Sequence, residues 1–305
     1  MVRHLLSLFD LTAVEVESLM KRSAELKAMQ KAGKRHRPLE GKTLGMVFEK
    51  SSTRTRVSFE VGMFQLGGHA LNLTTQASQL GRGETYEDTS RVLSRYVDCI
   101  MMRTFEQTRI ERMAAGASVP VINGLSDLLH PCQVLTDIFT VIENRGSVRD
   151  QIISYVGDGN NMANTWIQAA ILLGFELRLA CPEGYTPAAL ILDKVKSGGH
   201  KNIRVTRDAK EAVEGCDAIN TDTWISMGQE GSGEDAKHKL FAPYQVNAKL
   251  LSYAKKDAIV LHCLPAHRGD EITDEVMDGP HSRVFDEAEN RLHVQKAILE
   301  MYMHS

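Results

Sequence analysis

The chain has 305 residues, 43% of them hydrophobic and 25% charged, a globular composition that excludes disordered, collagen-like and fibrous classes. Its 36 Lys plus Arg against 39 Asp plus Glu leave a formal charge of −3, so it has no global attraction to nucleic acid or anionic membranes and any anion site must be local. At roughly 150 residues per domain the length suggests two domains, and apolar runs such as 169–173 and 258–261 fall far short of the roughly 18 residues a membrane span requires.

Residues 11–31 place Val14, Val16, Leu19, Met20 and Leu26 among Glu and Lys, with Thr12 and Glu15 in capping-box spacing, which predicts an amphipathic helix ending at Gly33. The run Lys34, Arg35, His36, Arg37 lacks interleaved aromatics and reads as a solvated loop rather than a nucleic-acid patch. Beyond Pro38 short β-rich runs alternate with helical ones: strand 43–48, helix 55–66, strand 70–73, helix 85–96 opened by Thr85 and Asp88, strands 99–102 and 119–123, helix 133–144. The polar stretch 144–151 marks a boundary. A second series follows with strand 152–157, helix 163–173, strands 176–180, 203–206, 218–221 and 258–262, and a last helix 290–303. Strict alternation requires crossovers, so the expected fold class is α/β: two tandem domains, each with a central, mainly parallel sheet flanked by helices.

Ligands of open α/β sheets bind beyond the carboxyl ends of the strands, so the residues after each predicted strand carry the functional signal. After the first comes Glu49-Lys50-Ser51-Ser52-Thr53-Arg54-Thr55-Arg56, entering a helix. Hydroxyls and backbone N–H groups at a helix N-terminus, beside guanidinium forks, suit a phosphate dianion. Walker spacing is absent, and the plainer alternative is a well-capped surface helix. Arg103 ends an apolar strand, where a charge needs a ligand or a carboxylate. His130, Pro131, Cys132 and Gln133 precede a helix in the same half; a histidine there can be purely structural, but Arg103, His130 and Gln133 together offer donors for a polarised carbonyl and its amide.

In the second half, residues 155–161 imitate a dinucleotide fingerprint, yet Met162 occupies the third glycine position, which disfavours a nicotinamide cofactor and leaves Asn161 to hold a carboxylate or amine. Asp222 with Ser226 suits an ammonium group. The stretch 229–236, containing Gly231 and Gly233, reads as a surface loop loose enough to act as a lid. His262, Cys263 and His267 invite a zinc reading, but the other Cys and His residues show no partner spacing, so no metal is expected.

These segments resemble the transcarbamylases, and within them the ornithine-using branch. Ser52-Thr53-Arg54-Thr55-Arg56 is similar to the family's carbamoyl phosphate signature; the segment from Asp222 to Gly228 and His262-Cys263-Leu264-Pro265 are similar to the features of the ornithine branch. The resemblance runs in order along essentially the whole chain. It implies a carbamoyl phosphate-binding domain at 1–145, completed by the terminal helix at about 288–305, and an ornithine-binding domain at 146–287. It places Ser52, Thr53, Arg54 and Thr55 at the phosphate, and Thr55, Arg103 and His130 at the carbonyl oxygen. Gln133 and the carbonyl of Leu264 fall at the amide, with Pro131, Cys132, Cys263 and Arg291 also at carbamoyl phosphate. Asn161, Asp222, Ser226 and Met227 fall at ornithine, and Cys263 near the reacting amine. Arg54, Arg103, His130, Asp222 and Cys263 are the implied catalytic set. Gln79 resembles a residue that reaches into a neighbouring subunit's site, which implies a homotrimer or a multiple of trimers. The resemblance also implies a cis bond between Leu264 and Pro265, accessible to an X-Pro bond.

No organic cofactor and no metal is expected; the expected partners are the small molecules carbamoyl phosphate and L-ornithine, with neither nucleic acid nor membrane. Aspartate would call for extra cations at its second carboxylate where this chain supplies Asp222, and putrescine lacks the α-carboxylate that Asn161 would bind. Five cysteines, odd in number and never in C-x-x-C spacing, indicate a reducing compartment, and the start of the chain lacks signal-peptide character, so a cytoplasmic location is expected.

Overall fold

The computed structural model describes residues 2–74, 79–225 and 234–303; Ser226, Met227 and residues 228–233 lie outside them. Two compact units divide the chain, Met1–Phe139 with Glu289–Ser305, and Thr140–Ala288. The divisions fall inside the helices Pro131–Arg145 and Val284–Met303. The polar stretch 144–151 begins at the end of the first of these helices.

Unit 1 holds β1 (Thr43–Phe48), β2 (His69–Thr74), β3 (Cys99–Arg103) and β4 (Val121–Leu125), all parallel in the order β2-β1-β3-β4. The central β1 and β3 are apolar and buried almost throughout, as a sheet covered on both faces demands. Leu5 bridges to Ile122 beside β4, so the N-terminal segment covers that edge. Helix Ala13–Lys31 opens with the expected capping box: Glu15 N–H donates to Thr12 Oγ1 at 3.2 Å and Thr12 N–H to Glu15 Oε2 at 2.8 Å. Helix Thr53–Gln65 starts two residues before the apolar pattern because Ser52 caps it, its hydroxyl accepting from Thr55 N–H at 3.2 Å. Helix Gln107–Gly116, which the sequence pattern did not reveal, buries only Ile110, Met113 and Ala114.

Unit 2 holds β5 (Ile152–Val156), β6 (Glu176–Ala180), β7 (Ile203–Thr206), β8 (Ala218–Thr221) and β9 (Ile259–His262), again parallel, in the order β7-β6-β5-β8-β9. Helix Asn161–Leu173 is buried along nearly its whole length, with Trp166 edge-on to Phe175 at 5.9 Å between ring centroids. Among the described residues no helix is long and apolar enough to cross a membrane.

In each sheet the chain runs outward in both directions from a pair of adjacent central strands. That switch lies between β1 and β3 in unit 1 and between β5 and β8 in unit 2. Loops leaving the carboxyl ends of such a pair diverge and open a crevice. The loops at those ends are 49–52 and 104–106 in unit 1, and 157–160 and 222–225 in unit 2.

Candidate active site

In unit 1 the helix N-terminus after β1 meets two arginines from elsewhere in the chain. Thr55 is 1% exposed. Its Oγ1 accepts from Arg291 Nη2 at 2.9 Å and from Arg103 Nη1 at 3.4 Å. With both acceptor sites so used, its own O–H remains to donate. Arg291, returning on the terminal helix, also donates to Gln133 Oε1, and Gln133 Nε2 donates to Asp137 Oδ1 at 2.8 Å. His130 stands immediately before helix Pro131–Arg145, where its carbonyl accepts from Gln133 N–H and proline takes the first helical position. Burial first, then the Arg291 and Arg103 charges, push its pKa well below the ordinary histidine value, so the ring is neutral. Arg54, in the first turn of helix Thr53–Gln65, is half-buried and has no ion-pair partner among the described residues.

Ser52 and Thr53 lie at that same helix start, where backbone N–H groups face outward unpaired by the helix itself. The Cys132 thiol, in contrast, turns to the carbonyl of Asn123 at 3.4 Å, and burial pushes it up to about 12, so its side chain belongs to the core. Gln79 is exposed on the 3₁₀ turn Gln79–Arg82.

In unit 2, Asn160 caps helix Asn161–Leu173, its Oδ1 accepting from Met162 N–H at 2.9 Å, while its Nδ2 donates to Asp222 Oδ2 at 2.8 Å. The other oxygen of Asp222 accepts from Thr223 N–H at 2.8 Å and from the Cys263 thiol at 3.0 Å. One carboxylate therefore joins the ends of β5, β8 and β9. Asn161, half-buried, occupies the first helical position. The expected cis bond joins Leu264 to Pro265, and Leu264 is the one non-glycine residue with positive φ (58°) among those described, a strained conformation for a leucine. Its N–H donates to His262 Nδ1 at 2.9 Å. That fixes the tautomer: Nε2 carries the proton and donates to Glu271 Oε1 at 2.9 Å.

Among the described residues two groups of donors stand close enough to surround a cation: Asp222, His262 and Cys263, and His267, Asp270 and Glu271, each with ligand atoms within 4.8 Å of one another. In the first, both ring nitrogens of His262 are already committed, one to Leu264 and one to Glu271.

Three residues that sequence reasoning passed over support these groups. Glu49 accepts from Tyr86 Oη at 2.9 Å, from Arg109 Nη1 at 3.2 Å and from Thr104 Oγ1, tying the end of β1 to the residue after Arg103. Burial, and then this carboxylate, push the Tyr86 phenol up to about 12. Asn160 holds Asp222 as described. Asp158 pairs with Lys237 at 3.1 Å, yet burial keeps its carboxyl above the usual range. Asn160 and Asp158 had a signal, since both lie in the 155–161 segment. Glu49 had only its place beside the phosphate-like loop.

Ser226 and Met227, expected beside Asp222, lie outside the described residues.

Comparison with known proteins finds two family domains in tandem along the chain. The family described as the aspartate/ornithine carbamoyltransferase carbamoyl-P binding domain matches residues 3–143, and the corresponding Asp/Orn binding domain matches 149–302. An ornithine carbamoyltransferase of Syntrophus aciditrophicus is 56% identical over 301 residues, covering 99% of each chain; one of Syntrophotalea carbinolica is 54% identical, covering 99% of this chain and 100% of its own. Among solved structures, ornithine carbamoyltransferase from Pyrococcus furiosus aligns with a TM-score of 0.94 at 50% identity, over 99% of this chain and 97% of that one. The Burkholderia thailandensis enzyme aligns with a TM-score of 0.91 at 48% identity, over 99% of each. The chain belongs to the aspartate/ornithine carbamoyltransferase family.

Proposed function

We propose that this enzyme transfers the carbamoyl group of carbamoyl phosphate to the side-chain amine of L-ornithine, giving L-citrulline and phosphate, in arginine metabolism and in the cytoplasm. The observation that carries the reading is the Thr55 hydroxyl held between Arg103 and Arg291 beside a neutral His130. Such a set of preorganised donors stabilises an oxygen that gains negative charge. Ser52, Thr53, Arg54 and Thr55 receive the phosphate; Thr55, Arg103 and His130 receive the carbonyl oxygen; Gln133 and the Leu264 carbonyl receive the amide. Residues 1–145 with the terminal helix form the carbamoyl phosphate domain, and 146–287 the ornithine domain.

Ornithine's side-chain amine should titrate near the lysine value of 10.4, so at pH 7 about one molecule in 2,500 is the neutral nucleophile. Asn161 and Asp222 hold the amino-acid end, with Ser226 and Met227 beside them, and Cys263 lies near the reacting amine. Attack forms the N–C bond and gives a tetrahedral intermediate whose oxyanion faces Thr55, Arg103 and His130; as it collapses the C–O bond to phosphate breaks, and phosphate leaves into the Arg54 site carrying the proton that the amine gives up. Neither a metal nor an organic cofactor takes part.

A homotrimer, or a multiple of trimers, is the proposed assembly, with Gln79 serving a neighbour's site. Val57, Val61 and Phe64 of helix Thr53–Gln65 are exposed, Phe64 at 80%, and line one concavity with Ala70 of the edge strand β2; this apolar face supports the assembly.

The test mixes purified protein with carbamoyl phosphate and, separately, ornithine, aspartate, putrescine or acetylornithine, and measures ureido product. Ornithine should be used well above the others. Preference for any of the other three would overturn the assignment.

A further inference from the structure

Lys296 is 4% exposed. Its Nζ donates to Gln30 Oε1 at 3.0 Å and to Gln65 Oε1 at 2.9 Å, two neutral amides, and no carboxylate lies within ion-pair distance among the described residues. Glu300, one turn further along the helix, is committed to Arg22 at 2.6 Å and His36 at 2.7 Å. An ammonium withdrawn from water ordinarily has an anion beside it. Here it lines a concavity of about 460 Å³ whose floor includes Leu26 and Leu66 and whose rim carries Lys34, Arg35 and Arg37. Lys34 and Arg35 have no ion-pair partner among the described residues. The basic run that the sequence presented as a plain loop thus overhangs a buried ammonium whose contacts are two neutral amides.

We propose that this pocket binds a small organic anion, its carboxylate or phosphate group at Lys296 and its apolar body against Leu26 and Leu66. Two helices connect the pocket to the half-site of unit 1. Gln65 ends helix Thr53–Gln65, which begins at the phosphate-like loop, and Lys296 shares its helix with Arg291, which holds Thr55. The helices touch near the pocket, for a Cβ on Gly62 would lie 3.3 Å from Lys296 Cγ. An anion drawing on Lys296 therefore acts on both elements that fix Thr55, and the site is regulatory rather than catalytic.

The experiment uses the full chain and two probes, 4-fluorobenzoate and 4-fluorophenyl phosphate, followed by ¹⁹F NMR. At least one should bind saturably to the wild type and to Arg54→Gln, which removes the phosphate-like loop as a competing site. Affinity should fall about tenfold in Lys296→Met, the scale of one lost charge-assisted hydrogen bond, and severalfold in the surface variant Lys34→Gln/Arg35→Gln, which keeps the test open if Lys296→Met does not fold. In wild type the bound probe should also shift the apparent KM for carbamoyl phosphate. The probe that binds tells carboxylate from phosphate ligands. Binding that disappears in Arg54→Gln, or that is equal in wild type and the surface variant, would overturn the proposal, and this arm does not depend on carbamoyl transfer.

Discussion

Replacing His130 by Gln tests whether the half-site of unit 1 holds a neutral ring. Burial, and then the Arg291 and Arg103 charges, hold the folded pKa well below the ordinary histidine value. The unfolded ring titrates near 6.5. Above that pH neither state binds a proton and the group adds no pH dependence. Below it the unfolded chain takes up a proton that the folded chain refuses, so stability present above about 6.5 is lost as the pH falls towards the folded pKa. A site that stays unprotonated in the folded state loses stability at roughly 1 kcal/mol per pH unit below the unfolded value. Glutamine keeps an N–H donor and does not titrate. Urea unfolding of both proteins from about pH 7.5 to 5.5 gives the difference in stability between them at each pH. Whatever deficit His130→Gln shows at neutral pH should shrink by roughly 1 kcal/mol at pH 5.5. His4 and His293, also held low by burial, are present in both proteins and cancel in the difference. A constant difference across that range would mean that the folded protein protonates His130 as readily as the unfolded chain does. The neutral-donor account of the oxygen-facing cluster would then be wrong.

Arg54→Gln should lower turnover by about a hundredfold or more while moving the urea midpoint little, because the guanidinium has no ion-pair partner among the described residues; turnover near the wild-type rate would remove it from the reaction. Glu49→Gln weakens the bonds to Thr104 and Arg109 and should cost about 1–3 kcal/mol of stability, with KM for carbamoyl phosphate rising more than KM for ornithine. An equal rise in both would point to general loosening instead. Asp222→Asn sets an amide against the Asn160 amide and the Cys263 thiol; ornithine use should be impaired while carbamoyl phosphate binding stays measurable by calorimetry, and loss of both affinities would mean that the residue is misassigned. Cys263→Ala removes one thiol donor to Asp222 and should cost less than about 1 kcal/mol of stability, read from the urea midpoint, with its larger effect on KM for ornithine.

The fold was legible because parallel strands covered on both faces must be apolar almost throughout. β1, β6, β7 and β8 have their expected bounds, β1 as a nearly unbroken apolar run and β6 and the edge strand β7 with apolar residues alternating with Glu, Arg or Thr. Helices with a narrow buried face were not. Gln107–Gly116 buries three residues in an otherwise charged segment, and Asp274–Met277 is a single turn, so neither imposes a period on the sequence. Two helices start two residues earlier than their apolar pattern because Ser52 and Asn160 cap them, and a cap is a hydrogen bond rather than a hydrophobic pattern.

The candidate site divides by the same physics. Residues whose chemistry is local, such as the hydroxyls and Arg54 at one helix start, announce themselves as a contiguous run. Residues that act through distant partners do not. Glu49 meets Tyr86, Thr104 and Arg109 at separations of 37, 55 and 60 residues, and nothing within its own segment distinguishes it from a surface glutamate. Cys263 meets Asp222 across 41 residues. The open α/β topology supplies the missing step, since it sends residues far apart in sequence to the carboxyl ends of adjacent strands, β1 beside β3 and β5 beside β8. A charge that looks isolated at the end of a predicted strand is therefore best read together with the end of the strand that will lie next to it. On that basis Arg103 should be paired with the helix start after β1, which is where its guanidinium meets Thr55.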